Sequence, residues 1–156
     1  MFYLSMLKFA DYDIVFQEVP DETTLALNLS GCPHRCEGCH SPHLREDIGE
    51  ELTPAALNRL LERYSGVTCV GLMGGDGDLQ AVEQMAAYIH TLGLRTAWYT
   101  GRTTLPDGWH LEHFDYIKIG PYIEALGGLK SPKTNQRFYR VQDRQLHDIT
   151  ERFWRK

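Results

Sequence analysis

Three cysteines, Cys32, Cys36 and Cys39, stand in the spacing Cys-x3-Cys-x2-Cys. Loops this short are poor disulfide cross-links, so the cluster indicates a metal site in a reducing compartment. Thiolates are the ligands that select iron–sulfur clusters or zinc. A four-iron cluster takes four ligands, and three cysteines leave one position open. The spacing therefore predicts a loop that folds around an unsaturated metal site.

Three histidines, His34, His40 and His43, flank these cysteines and allow a zinc site of the Cys3His kind as the alternative. Structural zinc sites usually join two distant chain segments, whereas all six candidate ligands here are close neighbours in the sequence. That difference favours the iron–sulfur interpretation. The fourth cysteine, Cys69, lies in an apolar run and is predicted to be a small buried side chain without a ligand role.

The chain alternates predicted strands and helices, which is typical of parallel βα units. Strands are predicted over residues 23–29, 67–73, 94–99, 116–119 and 137–141. A closed eight-unit barrel typically needs about 250 residues, and this chain has 156. We therefore expect a single domain over residues 1–156 with an α/β fold, built on a small, open, mostly parallel sheet with helices.

Two helix starts carry capping signals. Thr53 is followed by Pro54, which suits the first helical position, and Asp78 precedes a second apolar stripe that Gly93 ends. Residues 103–112 are predicted to be irregular, and the charged tail after Val141 is predicted to form a short helix.

The tripeptide Gly74-Gly75-Asp76 follows the predicted strand 67–73. Glycines permit backbone conformations and close approach that a Cβ would block, and a carboxylate accepts hydrogen bonds from a cationic donor. Alone, the tripeptide indicates an ordinary turn. One βα unit after a three-cysteine loop, it predicts a turn that contacts a ligand, because ligands bind beyond the carboxyl ends of parallel strands.

The charge and the apolar runs of the chain argue against two classes of partner, nucleic acids and membranes. The net charge of −5 argues against general nucleic-acid binding, which normally requires a basic face. No apolar run approaches the roughly 18 residues of a membrane span, and the first residues lack the charged start of a secretory signal. We expect a cytoplasmic protein with neither a nucleic-acid partner nor a membrane partner.

The cysteine spacing resembles the signature of the radical S-adenosylmethionine (SAM) enzymes. Four segments, in order, resemble landmarks of one such family, the activating enzymes of anaerobic ribonucleoside-triphosphate reductase: residues 32–42, 74–76, 98–101 and 134–137. The resemblance implies a truncated version of the radical SAM partial barrel. It also implies reductive cleavage of SAM, formation of a glycyl radical on the reductase, and an electron donor such as a flavodoxin.

The resemblance further implies which residues form the site. Cys32, Cys36 and Cys39 would hold a [4Fe-4S] cluster whose fourth iron binds SAM. The residues implied to contact SAM are Gly38, Cys39, His40, Gly74, Gly75, Asp76 and Thr100.

Three departures from the family pattern leave the cysteines and the Gly-Gly-Asp turn intact and bear on partner docking and on the role of the C-terminal loop. Residues 18–21 replace a Gly-Pro-Gly turn, Gly77 replaces a proline, and residues 131–133 replace a Gly-Ser pair. Two other functions remain as alternatives: another small radical SAM enzyme, which the resemblance at Asn135-Gln136 disfavours, and a zinc-binding adaptor module, which needs no Gly-Gly-Asp turn.

Overall fold

The computed structural model of the protein describes residues 7–30 and 49–154. Within these ranges the chain forms strands β1 (Lys8–Val15), β2 (Thr24–Leu29), β3 (Glu50–Glu51), β4 (Cys69–Met73), β5 (Arg95–Tyr99), β6 (Tyr116–Ile119), β7 (Arg137–Gln142) and β8 (Gln145–Asp148). The helices of the same ranges are α1 (Pro54–Arg63), α2 (Leu79–Thr91) and two short 3-10 helices, Leu111–His113 and Thr150–Phe153. None of the helices in the described ranges has the length and apolarity needed to cross a membrane.

These strands form one sheet in the order β3-β1-β2-β4-β5-β6-β7-β8. The central strands β2, β4, β5 and β6 are parallel to one another. The strands on either side of them pair antiparallel. The predicted α/β fold with an open sheet is confirmed, and among the described residues the sheet does not close into a barrel. It is mixed, with the parallel pairing at its centre.

Both faces of the central strands are buried, as is usual for parallel strands in α/β proteins. On one face, Leu72 and Trp98 belong to a core that includes Val82 of α2 and residues of α1. On the other face, Tyr116 and Phe138 belong to a second apolar cluster. Successive side chains of a strand point to opposite faces, so β4, β5 and β6 each contribute to both clusters.

The two predicted helix starts are confirmed. The Thr53 hydroxyl accepts a hydrogen bond of 3.1 Å from the Ala56 amide, and Pro54 is the first helical residue. The Asp78 carboxylate accepts one of 3.2 Å from the Ala81 amide. Such caps satisfy amide groups that have no partner within the helix.

The ends of the sheet differ from the sequence analysis. Strand β1, which the sequence does not predict, has a register shift between Phe9 and Asp11 that interrupts its alternation. The part of the tail after Val141 that the structure describes, up to Trp154, is helical only at Thr150–Phe153, because residues 145–148 pair with β7 as strand β8. Asp143 and Arg144 have φ values of 53° and 60° and form the hairpin turn between these strands.

Candidate cofactor site

The carboxyl ends of the four parallel strands meet at one edge of the sheet. Asn28 pairs with Met73, Met73 with Tyr99, and Tyr99 with Lys118, which makes one row across β2, β4, β5 and β6. The segments that follow these residues therefore lie side by side. Ser30, two residues before Cys32 in the sequence, is at this same edge.

The cysteine segment itself lies outside the described residues. Cys32, Cys36, Gly38, Cys39 and His40 all fall between residues 31 and 48, as do the alternative zinc ligands His34 and His43. Among the described residues, no group of three His, Cys, Asp or Glu side chains is placed to hold a metal ion. The structure therefore describes the edge that the cysteine segment continues from, and it describes Gly74, Gly75, Asp76 and Thr100.

Gly74 and Gly75 form a turn with φ values of 110° and 84°, which residues other than glycine rarely adopt. A Cβ on Gly75 would lie 2.6 Å from Val82 Cγ2 and 3.1 Å from Leu29 Cδ1. At Gly74 the nearest described atom would be 3.4 Å away. Gly75 thus serves the chain's own packing as well as its backbone conformation, a requirement that the sequence does not reveal.

Strand β5 holds this turn by its backbone and by one side chain. The Gly74 amide donates to the Tyr99 carbonyl oxygen at 2.8 Å. The Trp98 indole N–H donates to the Gly74 carbonyl oxygen at 2.7 Å. Trp98 is fully buried and stacks on Trp109 with ring centres 4.5 Å apart, so the turn is attached to a rigid part of the core.

Asp76 and Thr100, both predicted to contact the cofactor, contact each other. The Thr100 hydroxyl donates to one carboxylate oxygen of Asp76. The Gly101 amide donates to the other oxygen at 3.1 Å. The carboxylate therefore joins the turn after β4 to the segment after β5.

The segment 134–136 lies at the same edge, because β7 starts opposite the end of β6 with Arg137 beside Ile119. The Asn135 side-chain amide donates to the Pro121 carbonyl oxygen at 3.0 Å, and the Gln136 side-chain amide donates to the Gly120 carbonyl oxygen at 3.4 Å. Asn135 Oδ1 is buried and has no hydrogen-bond partner among the described residues. Asn135 Oδ1 is therefore a hydrogen-bond acceptor that a ligand at this edge could use.

A cavity of about 570 Å³ opens beside these segments, on the sheet face opposite the two helices. Its lining includes Tyr99, Lys118, Tyr122, Gln136 and Phe153. The volume falls within the roughly 300–1,000 Å³ of small-molecule sites. The wall combines aromatic rings with a few polar groups, as such sites usually do.

Lys118 is the residue of this cavity that the sequence analysis missed. It is 9% exposed, and its amine donates to the Gly120 carbonyl oxygen at 2.8 Å and to the Thr100 carbonyl oxygen at 3.3 Å. The amine is also 5.9 Å from the centre of the Tyr99 ring. A lysine in the otherwise apolar strand 116–119 was the available signal, because lysines are rarely buried without a specific role.

Cys69 lies away from this edge, at the start of β4. It is fully buried, as the sequence predicts. Burial is the main cause that raises the pKa of its thiol to about 12. The thiol is therefore protonated at neutral pH and lacks the thiolate form that binds metals.

A comparison with protein-family models matches residues 23–114, more than half of the chain, to the family described as a 4Fe-4S single cluster domain. The matched range contains the three clustered cysteines and the turn 74–76. No curated protein and no solved structure matches the chain.

We expect Gly75→Ala to destabilise the protein more than Gly93→Ala. Both glycines have positive φ, but a Cβ on Gly93 would meet no atom within 4 Å. Each change incurs the conformational cost of roughly 1–2 kcal/mol. Gly75→Ala should add an overpacking cost of about 1–3 kcal/mol. Urea unfolding of both variants measures the difference, and equal losses would contradict a packing role for Gly75.

We expect the folded protein to protect Cys69 from iodoacetamide at pH 8. With a thiol pKa of about 12, only about one thiol in 10,000 is ionised at that pH. Because thiolate forms as pH rises toward the pKa, labelling should increase in alkaline buffer. Peptide mass mapping should show Cys69 unlabelled in the native protein and labelled in urea. Equal labelling in both states would show that the site is open.

Proposed function

The chain belongs to the 4Fe-4S single cluster domain family, and on that premise we propose that it is a radical SAM activating enzyme. Its substrate would be the glycyl-radical subunit of anaerobic ribonucleoside-triphosphate reductase. The observation that carries the proposal is the convergence, at one sheet edge, of the strand leading to the cysteines and the Gly-Gly-Asp turn. The family match supports the iron–sulfur part, and the resemblance of residues 98–101 and 134–137 supports the choice of partner.

The cysteines Cys32, Cys36 and Cys39 would be the ligands of a [4Fe-4S] cluster in this proposal. Three thiolates leave one position for SAM, which suits an enzyme better than a closed structural site. The family match also favours an iron–sulfur cluster over a zinc ion at these cysteines. In the parallel sheet, Ser30 and the turn 74–76 follow neighbouring strands, so a ligand at this edge is within reach of both segments.

The described residues fit the chemistry of SAM. Its carboxylate requires a cation, which the buried amine of Lys118 provides beside the cavity. Its ammonium requires acceptors, and Asn135 Oδ1 is a buried acceptor at the same edge. Its adenine requires an apolar or aromatic surface, which Tyr99 and Phe153 offer. Gly38 and His40 would complete the contacts from the cysteine segment.

When bound, the cluster and SAM would supply one-electron cleavage of a carbon–sulfur bond and removal of a hydrogen atom from a glycine of the reductase, with the electron coming from a donor such as a flavodoxin. The chain's own residues orient the ligand and exclude water. Tyr99 stays a neutral donor to the Glu18 carbonyl oxygen, because burial and the Glu18 carboxylate raise its pKa. Lys118 holds the ends of β5 and β6 together through their carbonyl oxygens.

We expect Cys32→Ala, Cys36→Ala and Cys39→Ala each to abolish a SAM-responsive cluster, because each thiolate is assigned to one iron. Cys69→Ala is the matched control, since the same change is made at a buried cysteine away from the edge. Anaerobic reconstitution with iron and sulfide, followed by electron paramagnetic resonance of the reduced protein with and without SAM, measures the result. Wild-type iron content and activity in Cys36→Ala would contradict the ligand assignment, and zinc binding with no response to SAM would favour the adaptor module.

We expect the reduced wild-type protein to generate a glycine-centred radical when SAM and the anaerobic reductase of the same cell are both present. Electron paramagnetic resonance detects this radical, and omission of either SAM or the reductase should abolish it. If SAM is cleaved while another protein or a small molecule is modified, the radical SAM part of the proposal stands and the choice of reductase is wrong.

A further inference from the structure

The contact between Thr100 and Asp76 joins two segments that are far apart in the sequence. Thr100 is 1% exposed, and its hydroxyl donates to the Asp76 carboxylate. The Gly101 amide donates to the second oxygen of the same carboxylate. Hydrogen bonds to a charged acceptor are stronger than those between neutral groups. We call this arrangement the Asp76–Thr100 latch.

The half of the latch that follows β5 is held by backbone and side-chain hydrogen bonds. The Thr100 amide donates to the Lys118 carbonyl oxygen at 2.9 Å, and the Thr100 carbonyl oxygen accepts from the Lys118 amine at 3.3 Å. Strand β5 lies between β4 and β6. Thr100 therefore presents its hydroxyl from a segment fixed on both sides.

The half of the latch that follows β4 belongs to a turn that contains two glycines. Gly74 and Gly75 both have positive φ and precede Asp76 directly. Glycines lose more conformational freedom on ordering than other residues. A turn of this kind needs contacts that select one conformation, and the carboxylate of Asp76 provides them at its end.

We propose that Thr100 and Asp76 are positioning residues that hold the turn 74–76 in the conformation that binds SAM. This inference rests on the proposed function. The sequence analysis assigns both residues to direct cofactor contact, whereas the geometry joins them to each other. Loss of the Thr100 hydroxyl should therefore weaken SAM binding even though the carboxylate of Asp76 is still present.

The test combines Thr100→Val and Asp76→Ala, singly and together, in the reconstituted protein. Valine has nearly the shape of threonine but lacks the hydroxyl. Thr100→Ser is the conservative variant, because serine keeps the hydroxyl. Thr96→Val is the matched control, because Thr96 is a buried threonine at the other end of β5 and its hydroxyl bonds only weakly, at 3.4 Å, to the Ala86 carbonyl oxygen. The readouts are iron content, the SAM concentration that half-saturates the change in the reduced-cluster spectrum, and hydrogen exchange of residues 73–78 and 99–102 by mass spectrometry.

We expect Thr100→Val to raise the half-saturating SAM concentration by about tenfold or more, with unchanged iron content and faster exchange in both segments. Thr100→Ser and Thr96→Val should resemble the wild type. In the Asp76→Ala background, Thr100→Val should have a much smaller further effect, because the shared contact is already lost and only the hydrogen bond from the Arg102 amide to the Thr100 hydroxyl, at 3.1 Å, remains to be removed.

Two results would overturn the latch. One is unchanged hydrogen exchange in Thr100→Val, which needs no ligand and therefore decides the structural role by itself. The other is unchanged SAM half-saturation in Thr100→Val together with a large loss in Asp76→Ala, which would assign Asp76 to direct contact. If the wild type shows no response to SAM, the proposed function and the assignment of the latch to SAM binding both fail, and the exchange data then decide only whether the contact orders the turn.

Discussion

Parallel pairing of β2, β4, β5 and β6 is the constraint on which the rest of the structure depends, because it decides where each strand ends. The row of Asn28, Met73, Tyr99 and Lys118 crosses all four strands. Every segment beyond this row leaves the sheet on the same side. The continuous burial of both sheet faces keeps the strands in this register, since a slip by one residue would exchange the two buried sets of side chains.

Elements with local signals could be predicted from the sequence, whereas those that depend on irregular pairing could not. The helix starts at Thr53 and Asp78 are set by side chains within one turn of the helix. Strand β1 is hidden by its register shift near Phe9, because an interrupted alternation no longer resembles a strand. Strand β8 follows a turn of Asp143 and Arg144, which lacks the glycine that usually marks such hairpins.

In the candidate site, too, local features could be predicted from the sequence and long-range contacts could not. The residue types of the turn, Gly74-Gly75-Asp76, indicate a special backbone, and the structure gives both glycines positive φ. The partner of Asp76 is twenty-four residues away, at Thr100. No local pattern identifies that partner, because the contact follows from the pairing of β4 with β5. The packing of Gly75 against Val82 is likewise a property of the folded chain.

The opposite edge of the sheet contains a buried charged network that aligns the parallel strands. There the Glu22 carboxylate, almost fully buried, accepts hydrogen bonds from the Tyr116 hydroxyl at 2.9 Å and the Thr68 hydroxyl at 2.7 Å, and lies 3.4 Å from Arg95. These contacts connect the starts of the parallel strands. Removing one partner of such a buried charge is costly, so the network fixes the alignment of the strands.

Strand β4 separates the two edges by five residues, about 16 Å at roughly 3.3 Å per residue. The side chains that align the strands therefore lie at the opposite end of the strands from the turn 74–76, whose conformation depends on its own glycines and on the contacts of Asp76.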